Sequence, residues 1–313
     1  MDILYAGAGL FLLFLGGESL VRGALGVALR FRLPAAVAGA VVVGFGTSLP
    51  ELVASLEAVR VGSAGIAVGN VIGSNIANIL LICGIGAVLA PIAIGRTGLR
   101  RDCTFLVLAT AALVPLAALG ALHQPWSGII LILGLCAYLA LSLRADGAGD
   151  ETAGIHPKFW RDAILVLAGL ACLMVGAWLL IEGSVSLARG FGVSEAMIGA
   201  TLVAVGTSLP ELATTIVAVV RKQGDLAVGN IVGSNIFNVF AILGICALAD
   251  DIPFPAELLP VHLAMFVASG VLFAVYLLGM RRIERAHGVG FLTAYSAYVA
   301  GAYWLERVQN VSA

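Results

Sequence analysis

Two glutamates stand inside runs that are otherwise apolar. Glu51 lies in "VVVGFGTSLPELVAS", which begins at Val41, and Glu211 lies in "TLVAVGTSLPELATT", which begins at Thr201. Thr47 and Ser48 precede Glu51 by four and three residues, and Thr207 and Ser208 precede Glu211 in the same way. On a continuous helix those spacings share a face. A second motif follows each glutamate, "GNVIGSNIANI" from Gly69 and "GNIVGSNIFNV" from Gly229. It adds Ser74 with Asn78 and Ser234 with Asn238, again four apart. The donors are carboxylate, hydroxyl, carboxamide and backbone oxygens, with no His or Cys among them. Calcium takes six to eight oxygen ligands in flexible geometry, whereas zinc and copper favour nitrogen and sulfur. Two carboxylates balance one divalent ion or two monovalent ions, and the surplus oxygens have room for a third.

The cost of these residues sets them apart from packing. A carboxylate placed in a membrane span costs roughly 2.5–3.5 kcal/mol on insertion scales and is functional by default. Pro50 and Pro210 lack an N–H, and their rings oppose the carbonyls of Gly46 and Gly206, so each should bend its helix. Carbonyls freed in this way are tolerated only within protein or beside a water-filled cavity. Glycines 69, 73, 229 and 233 should let helix backbones approach closely. Ser55, Thr214 and Thr215 read as hydrogen bonds between helices rather than ligands. Glu57 and Glu18 face Val217 and Trp178 in the repeat described below. They read as interfacial charges that reach for water.

The elements that carry these motifs are membrane spans. Of 313 residues, 61% are hydrophobic and 11% charged, and the mean hydropathy is +1.07. A soluble domain is about half apolar and a quarter charged. The net charge of −1 gives no support to a nucleic-acid partner. The five cysteines lie in apolar runs without a CxxC pair, so neither a disulfide nor a zinc site is expected. The opening "MDILYAGAGLFLLFLGG" has no basic segment and reads as a first span.

Hydropathy predicts ten spans, at 3–21, 33–59, 66–90, 103–122, 126–143, 162–181, 193–220, 225–249, 258–280 and 289–305. Each is near the ~20 residues that a bilayer requires. The fold expected is an all-α polytopic membrane protein. Residues 1–143 form a first five-helix repeat, 144–161 a polar cytoplasmic linker, and 162–313 a second, inverted repeat. The linker is short for a folded domain, so no soluble regulatory domain is expected between the halves. Alternate loops hold 14 of the 17 lysines and arginines. The positive-inside rule makes those loops cytoplasmic and places both termini outside.

The two halves are copies. Gly46 to Leu52 matches Gly206 to Leu212, and Gly73-Ser74-Asn75-Ile76 matches Gly233-Ser234-Asn235-Ile236, each at an offset of 160. Gly69-Asn70 and Gly229-Asn230 keep that register, as do Gly23 and Gly183, Gly39 and Gly199, and Gly84 and Gly244. Five spans per half invert the second copy in the membrane. Inverted repeats with broken helices at their interface point to a secondary transporter with its site near the midplane.

"GTSLPEL" with "GNVIGSNIANI", repeated as "GTSLPEL" with "GNIVGSNIFNV", closely resembles the α1 and α2 repeats of the sodium/calcium exchanger family, in the cation/calcium antiporter superfamily. The layout resembles the prokaryotic type, which implies an inner-membrane location. The resemblance implies that Glu51 and Glu211 bind Ca²⁺ and compete for Na⁺. It implies that Thr47 and Thr207 contribute carbonyls and hydroxyls, and that Ser48, Ser74, Ser208 and Ser234 flank the Na⁺ positions. The carbonyls of Gly44 and Ala204 would be outer Na⁺ ligands, with Asn78 and Asn238 at the centre. The first and sixth spans would slide across the remaining core. Some relatives, potassium-dependent members among them, carry Asp at the position of Asn238, so Asn here argues against K⁺ co-transport.

The function expected is electrogenic, K⁺-independent exchange of Na⁺ for Ca²⁺, with inorganic cations and the lipid bilayer as partners. No cofactor and no obligatory protein partner are expected. Antiport of H⁺ for Ca²⁺ or another divalent ion is the alternative, because a proton can balance an empty carboxylate as a metal does. A cation channel would not need an inverted repeat with two symmetric broken-helix pairs. An enzyme is not expected, since no nucleophile–base pair, HExxH or phosphate loop is present.

Overall fold

A bilayer core offers no water to the backbone, so apolar segments of this length satisfy their N–H and C=O groups internally as helices. In the computed structural model the described residues are 2–95, 97–120, 122, 124–144, 159–190, 206–252, 254 and 261–312, with the side chains described as far as Leu305. The first half holds α1 (Asp2–Phe31), α2 (Ala35–Thr47), α3 (Leu49–Arg60), α4 (Ala64–Leu89), α5 (Leu99–Ala118) and α6 (Pro125–Leu143). The second holds α7 (Phe159–Gly190), α8 (Leu209–Val220), α9 (Gly224–Ala249), α10 (Val261–Gly279) and α11 (Arg285–Ser312). A short antiparallel ladder, β1 (Ile92–Ala93) with β2 (Arg282–Ile283), ties the α4–α5 connection to the α10–α11 connection.

Seven of these helices are long and apolar enough to cross a membrane, namely α1, α4, α5, α6, α7, α9 and α10. The pair α2 and α3 makes an eighth span, bent by 41°. The span expected at 193–220 is described only from Gly206 onward, where α8 forms its second half. The span expected at 289–305 lies within the 28-residue, more polar α11. Most of the expected linker, 145–158, lies outside the described residues.

The sequence offset of 160 is also a structural one. Helix α3 maps onto α8, and α4 onto α9, residue for residue at both ends. Helices α4 and α9 are the buried centre, while α1, α6 and α7 turn most of their surface outward. That division follows composition. The central pair carries the glycines, serines and asparagines, and the outer helices expose Leu10, Phe11, Leu133, Leu167 and Trp178. Trp126, Trp160 and Trp304 are also exposed.

Helices α1 and α7 pack antiparallel along a glycine seam. A Cβ on Gly9 would come within 2.7 Å of the Gly176 carbonyl oxygen, and one on Gly16 within 2.8 Å of that of Gly169. Gly23 meets Asp162 and Val166, and Gly183 meets Asp2 and Ala6. The glycines recur every seven residues, which keeps them on one helix face. Lipid tails give no hydrophobic force between helices, so close backbone packing must supply the attraction. Helices α2 and α9 approach in the same way, with Ala40 backbone against Gly229 and Gly233. For Gly69 and Gly73 no described residue lies within 4 Å of a Cβ, and the positions equivalent to Ala36 and Ala40, 196 and 200, lie outside the described residues.

Gly16→Val should therefore force the α1–α7 seam apart and destabilise the protein by about 1–3 kcal/mol, the usual cost of overpacking. Gly7→Val is the control, because no atom of the described residues lies within 4 Å of a Cβ at that position. Thermal unfolding of both variants in detergent checks this, and equal midpoints would sink the seam as a packing determinant.

Candidate functional site

Each glutamate motif breaks its helix at a serine. Ser48 has φ −85° and ψ 7°, and Ser208 has φ −87° and ψ 7°. Pro50 and Pro210 then sit in the first turn of α3 and α8. An N–H at that position has no helical partner anyway, so proline is tolerated there. The expected bend is present, 41° between α2 and α3, and it falls at the serine, with the proline in the first turn of the next helix. The Ser48 N–H closes the last turn of α2 on the Gly44 carbonyl.

The break also corrects the expected pairing along one helix. Ser48 is the N-cap residue of α3, yet its hydroxyl does not cap that helix. It donates to Glu211 Oε1 at 2.8 Å, in the other repeat. Ser208, the N-cap residue of α8, donates to Glu51 Oε1 at 3.2 Å. Each repeat thus supplies the hydroxyl that holds the other's carboxylate. Both carboxylates also lie in the first turn of a half-helix, where the positive end of the dipole favours negative charge.

The second motif closes the site from α4 and α9. Asn238 Nδ2 donates to Ser74 Oγ at 3.2 Å and to Asn75 Oδ1 at 2.9 Å. Asn75 Nδ2 donates to the Asn235 carbonyl at 3.2 Å. These two positions are equivalents, so the pseudo-twofold axis passes close to them. Ser74 Oγ donates to the Asn70 carbonyl at 2.6 Å. Ser234 Oγ donates to the Gly44 carbonyl at 3.2 Å, which also receives Thr47 Oγ1 at 3.3 Å and the Ser48 N–H at 3.2 Å. A Cβ on Gly44 would stand 2.9 Å from the Ser234 nitrogen, so only glycine lets α2 and α9 meet there. Wide π-type turns at Ala38–Gly44, Ala77–Ile82 and Asn238–Leu243 flank the motifs. Such turns recur at functional sites because they shift side chains off the regular helical register.

Thr47, Ser48, Glu51, Ser74, Asn78, Ser208, Glu211, Ser234 and Asn238 are all buried. Thr207 is half-buried and makes no side-chain hydrogen bond with another described site residue. Ala204 lies outside the described residues. Four site oxygens, Glu51 Oε2, Glu211 Oε2, Asn78 Oδ1 and Asn238 Oδ1, are buried without a donor among the described residues, and Asn235 Oδ1 beside them is a fifth. Buried polar atoms without partners are uncommon and call for an explanation. Here all five are acceptors, which a cation satisfies and a donor-rich ligand would not need.

Two residues were absent from the sequence-derived site. Asn70 Nδ2 donates to the Glu51 carbonyl at 3.3 Å and to Ser55 Oγ at 3.0 Å. Asn230 Nδ2 donates to the Glu211 carbonyl at 3.3 Å and to Thr215 Oγ1 at 2.9 Å. The signal was present in the register of Gly69-Asn70 with Gly229-Asn230. A carboxamide written twice into an apolar span is nearly as unexpected as a carboxylate. Ser55 and Thr215 do bond between helices, as expected. Glu57 pairs with Arg60 at 3.1 Å on the surface, and Glu18 pairs with Arg22 and Arg221.

The sequence profile described as "Sodium/calcium exchanger protein" matches residues 1–144 and 162–304. The chain belongs to the sodium/calcium exchanger family. It is 35% identical over 304 residues to the putative antiporter CaxA of Alkalimonas amylolytica, covering 93% of this chain and 95% of that one. It is 27% identical over 340 residues to the sodium/calcium exchanger MaX1 of Methanosarcina acetivorans, covering 95% and 97%. The inner membrane protein YrbG of Escherichia coli is 33% identical over 323 residues, covering 96% of each. The fold matches a solved structure of the sodium-calcium exchanger NCX_Mj, soaked with 10 mM Na⁺ and no Ca²⁺, with a TM-score of 0.83, 30% identity, and coverage of 96% and 98%. This exchanger is therefore an integral membrane protein of a transporter family, with the inverted-repeat fold that the sequence predicts.

Glutamine at either carboxylate keeps an Oε1 acceptor for the opposing serine, removes the charge and replaces the unpartnered second oxygen with an NH₂ donor. Losing one member of a buried charge pair costs about 2–5 kcal/mol. Glu51→Gln and Glu211→Gln should each fold normally yet lose Ca²⁺ exchange by more than about tenfold. Uptake into proteoliposomes checks this, and near wild-type exchange would make the residue structural.

Proposed function

We propose that this exchanger carries Na⁺ and Ca²⁺ in opposite directions by alternating access, electrogenically and without K⁺. The observation that carries the reading is the pair of buried carboxylates at the repeat interface, each held by the other repeat's serine, with unpartnered acceptor oxygens around them. The set is oxygen alone, which favours a hard cation. Glu51 and Glu211 would hold Ca²⁺ or share Na⁺ ions. Thr47, Thr207, Ser48, Ser208, Ser74 and Ser234 would turn hydroxyl lone pairs toward the cations. Asn78 and Asn238 would face the centre, and the carbonyls of Gly44 and Ala204 would serve outer Na⁺ ions. The Gly44 carbonyl now accepts from two hydroxyls, and rotation of those hydroxyls would release it and present their own oxygens.

Residues 1–143 and 162–313 would be the two repeats, joined by a cytoplasmic linker at 144–161, with both termini outside a prokaryotic inner membrane. The MaX1 and NCX_Mj likenesses support Na⁺ as counter-ion. Asn238 supports independence from K⁺, since it adds no third carboxylate to the site. Three Na⁺ for one Ca²⁺ would move one net charge per cycle, coupling transport to voltage at about 2.3 kcal/mol per 100 mV.

H⁺/Ca²⁺ antiport is the second reading, because the described site residues include no Lys, Arg or His to balance the carboxylates in the absence of a metal. Radiolabelled Ca²⁺ uptake into proteoliposomes separates the two. A Na⁺ gradient should drive uptake, a K⁺ gradient should not, and an imposed membrane potential should change the rate. Saturable uptake driven by a pH gradient without Na⁺, and lost in Glu51→Gln, would favour the proton reading. A rate indifferent to potential would favour a neutral two-for-one exchange.

A further inference from the structure

Helices α4 and α9 each present a stripe of three polar residues four apart, Asn70, Ser74 and Asn78 on one, and Asn230, Ser234 and Asn238 on the other. Residues at that spacing lie on one helix face. The proposed ligands take up the last two positions of each stripe. The amide nitrogen at the first position makes two hydrogen bonds to the helix that carries the glutamate. Both hydrogens of the Asn70 amide are used, on the Glu51 carbonyl and the Ser55 hydroxyl. Both hydrogens of the Asn230 amide are used in the same way, on the Glu211 carbonyl and the Thr215 hydroxyl.

We propose that Asn70 and Asn230 are positioning residues that fix the height of each binding glutamate against the Ser and Asn ligands of the neighbouring helix. A single bond would leave α3 free to slide or turn against α4. Two bonds to groups four residues apart on α3 fix both translation along the helix and rotation about it. One of those groups is the backbone of Glu51 itself, so the clamp acts where the carboxylate is attached. Ser74 is tied to the same point, since its hydroxyl donates to the Asn70 carbonyl at 2.6 Å. The break at Ser48 makes the clamp necessary: α3 is a short half-helix that inherits no orientation from α2. In the second repeat the clamp reaches further. Asn230 Oδ1 stands 3.5 Å from Thr47 Oγ1, so the residue that holds Glu211 also meets the first repeat.

The proposal rests on the reading of the site as one that binds Ca²⁺. Leucine is near in shape to asparagine and cannot donate, so Asn70→Leu and Asn230→Leu remove the clamp and keep the volume. Outer-shell partners of metal ligands are typically worth 10–100-fold in affinity. The half-saturating Ca²⁺ concentration for uptake should rise about tenfold or more, with less change in maximal rate and a larger effect for Asn230→Leu. The Ca²⁺-dependent rise in unfolding temperature of the purified chain should shrink. A purely structural role would lower the unfolding temperature without Ca²⁺ and leave the Ca²⁺-dependent rise intact, and that result overturns the proposal. If wild type itself shows no Ca²⁺-dependent rise, the underlying reading of the site fails instead. Should the leucine variants not fold, Ser55→Ala removes one of the two acceptors. It should raise half-saturation several-fold, and a wild-type value there would overturn the clamp.

Discussion

Two carboxylates buried at one site, with no basic partner among the described residues, are the constraint on which the rest of this exchanger depends. Each charge carries a desolvation penalty of several kcal/mol in a low-dielectric interior, and each repels the other. Hydroxyl donors, half-helix dipoles and backbone N–H groups relieve part of that penalty. None of them supplies a full positive charge. Protons or metal cations taken up from water would supply that charge, and a site that recruits them and can release them again suits the proposed transport. The broken helices, the glycine-lined contacts and the duplicated motifs are the means of holding such a pair in place.

The cross-repeat hydrogen bonds bear on how binding couples to movement. Ser48 serves Glu211 and Ser208 serves Glu51, so neither half owns a complete carboxylate site. Asn238 reaches Ser74 and Asn75 across the same boundary. Any shift of one half against the other changes the ligand geometry of both carboxylates at once. Conversely, a cation that draws both carboxylates together pulls the halves into one relation. A ligand shifts a conformational equilibrium only through its different affinity for the two states, and under the proposed alternating access a site shared by both halves would provide that difference without a separate sensor.

Much of this was legible in the sequence, for a physical reason. Polar and charged residues in an apolar chain are expensive, so each one that persists carries information, and duplication at a fixed offset of 160 repeats the message. The spans, their inversion and the polar identity of the site follow from that alone. The side-chain partners did not follow. Reading Thr47, Ser48 and Glu51 as one helical face assumes an unbroken helix, and the turn at Ser48 sends the hydroxyl to the opposite repeat. The glycine seam between α1 and α7 was present as a seven-residue spacing, yet glycine in a span is too common to single out without its partner. Asn70 and Asn230 keep the 160-residue register, yet their role does not follow from it, because their work is done on a backbone carbonyl, which no sequence pattern displays.

Symmetry explains how one site can face two sides, and it also says where direction must come from. If the two halves were identical, exchanging their roles would turn one access state into the other, and the two states would have equal energy. Any preference for one side must reside where the halves differ. The core differs little: Ser55 stands against Thr215, and Ala77 against Phe237. The rim differs more. Glu18 on α1 pairs with Arg22 and with Arg221 at the end of α8, whereas the equivalent positions hold Trp178, Glu182 and Val61, which cannot form that set of ion pairs. The chemistry of the ions is thus written in the repeated motifs, and the inequality of the two faces is written outside them.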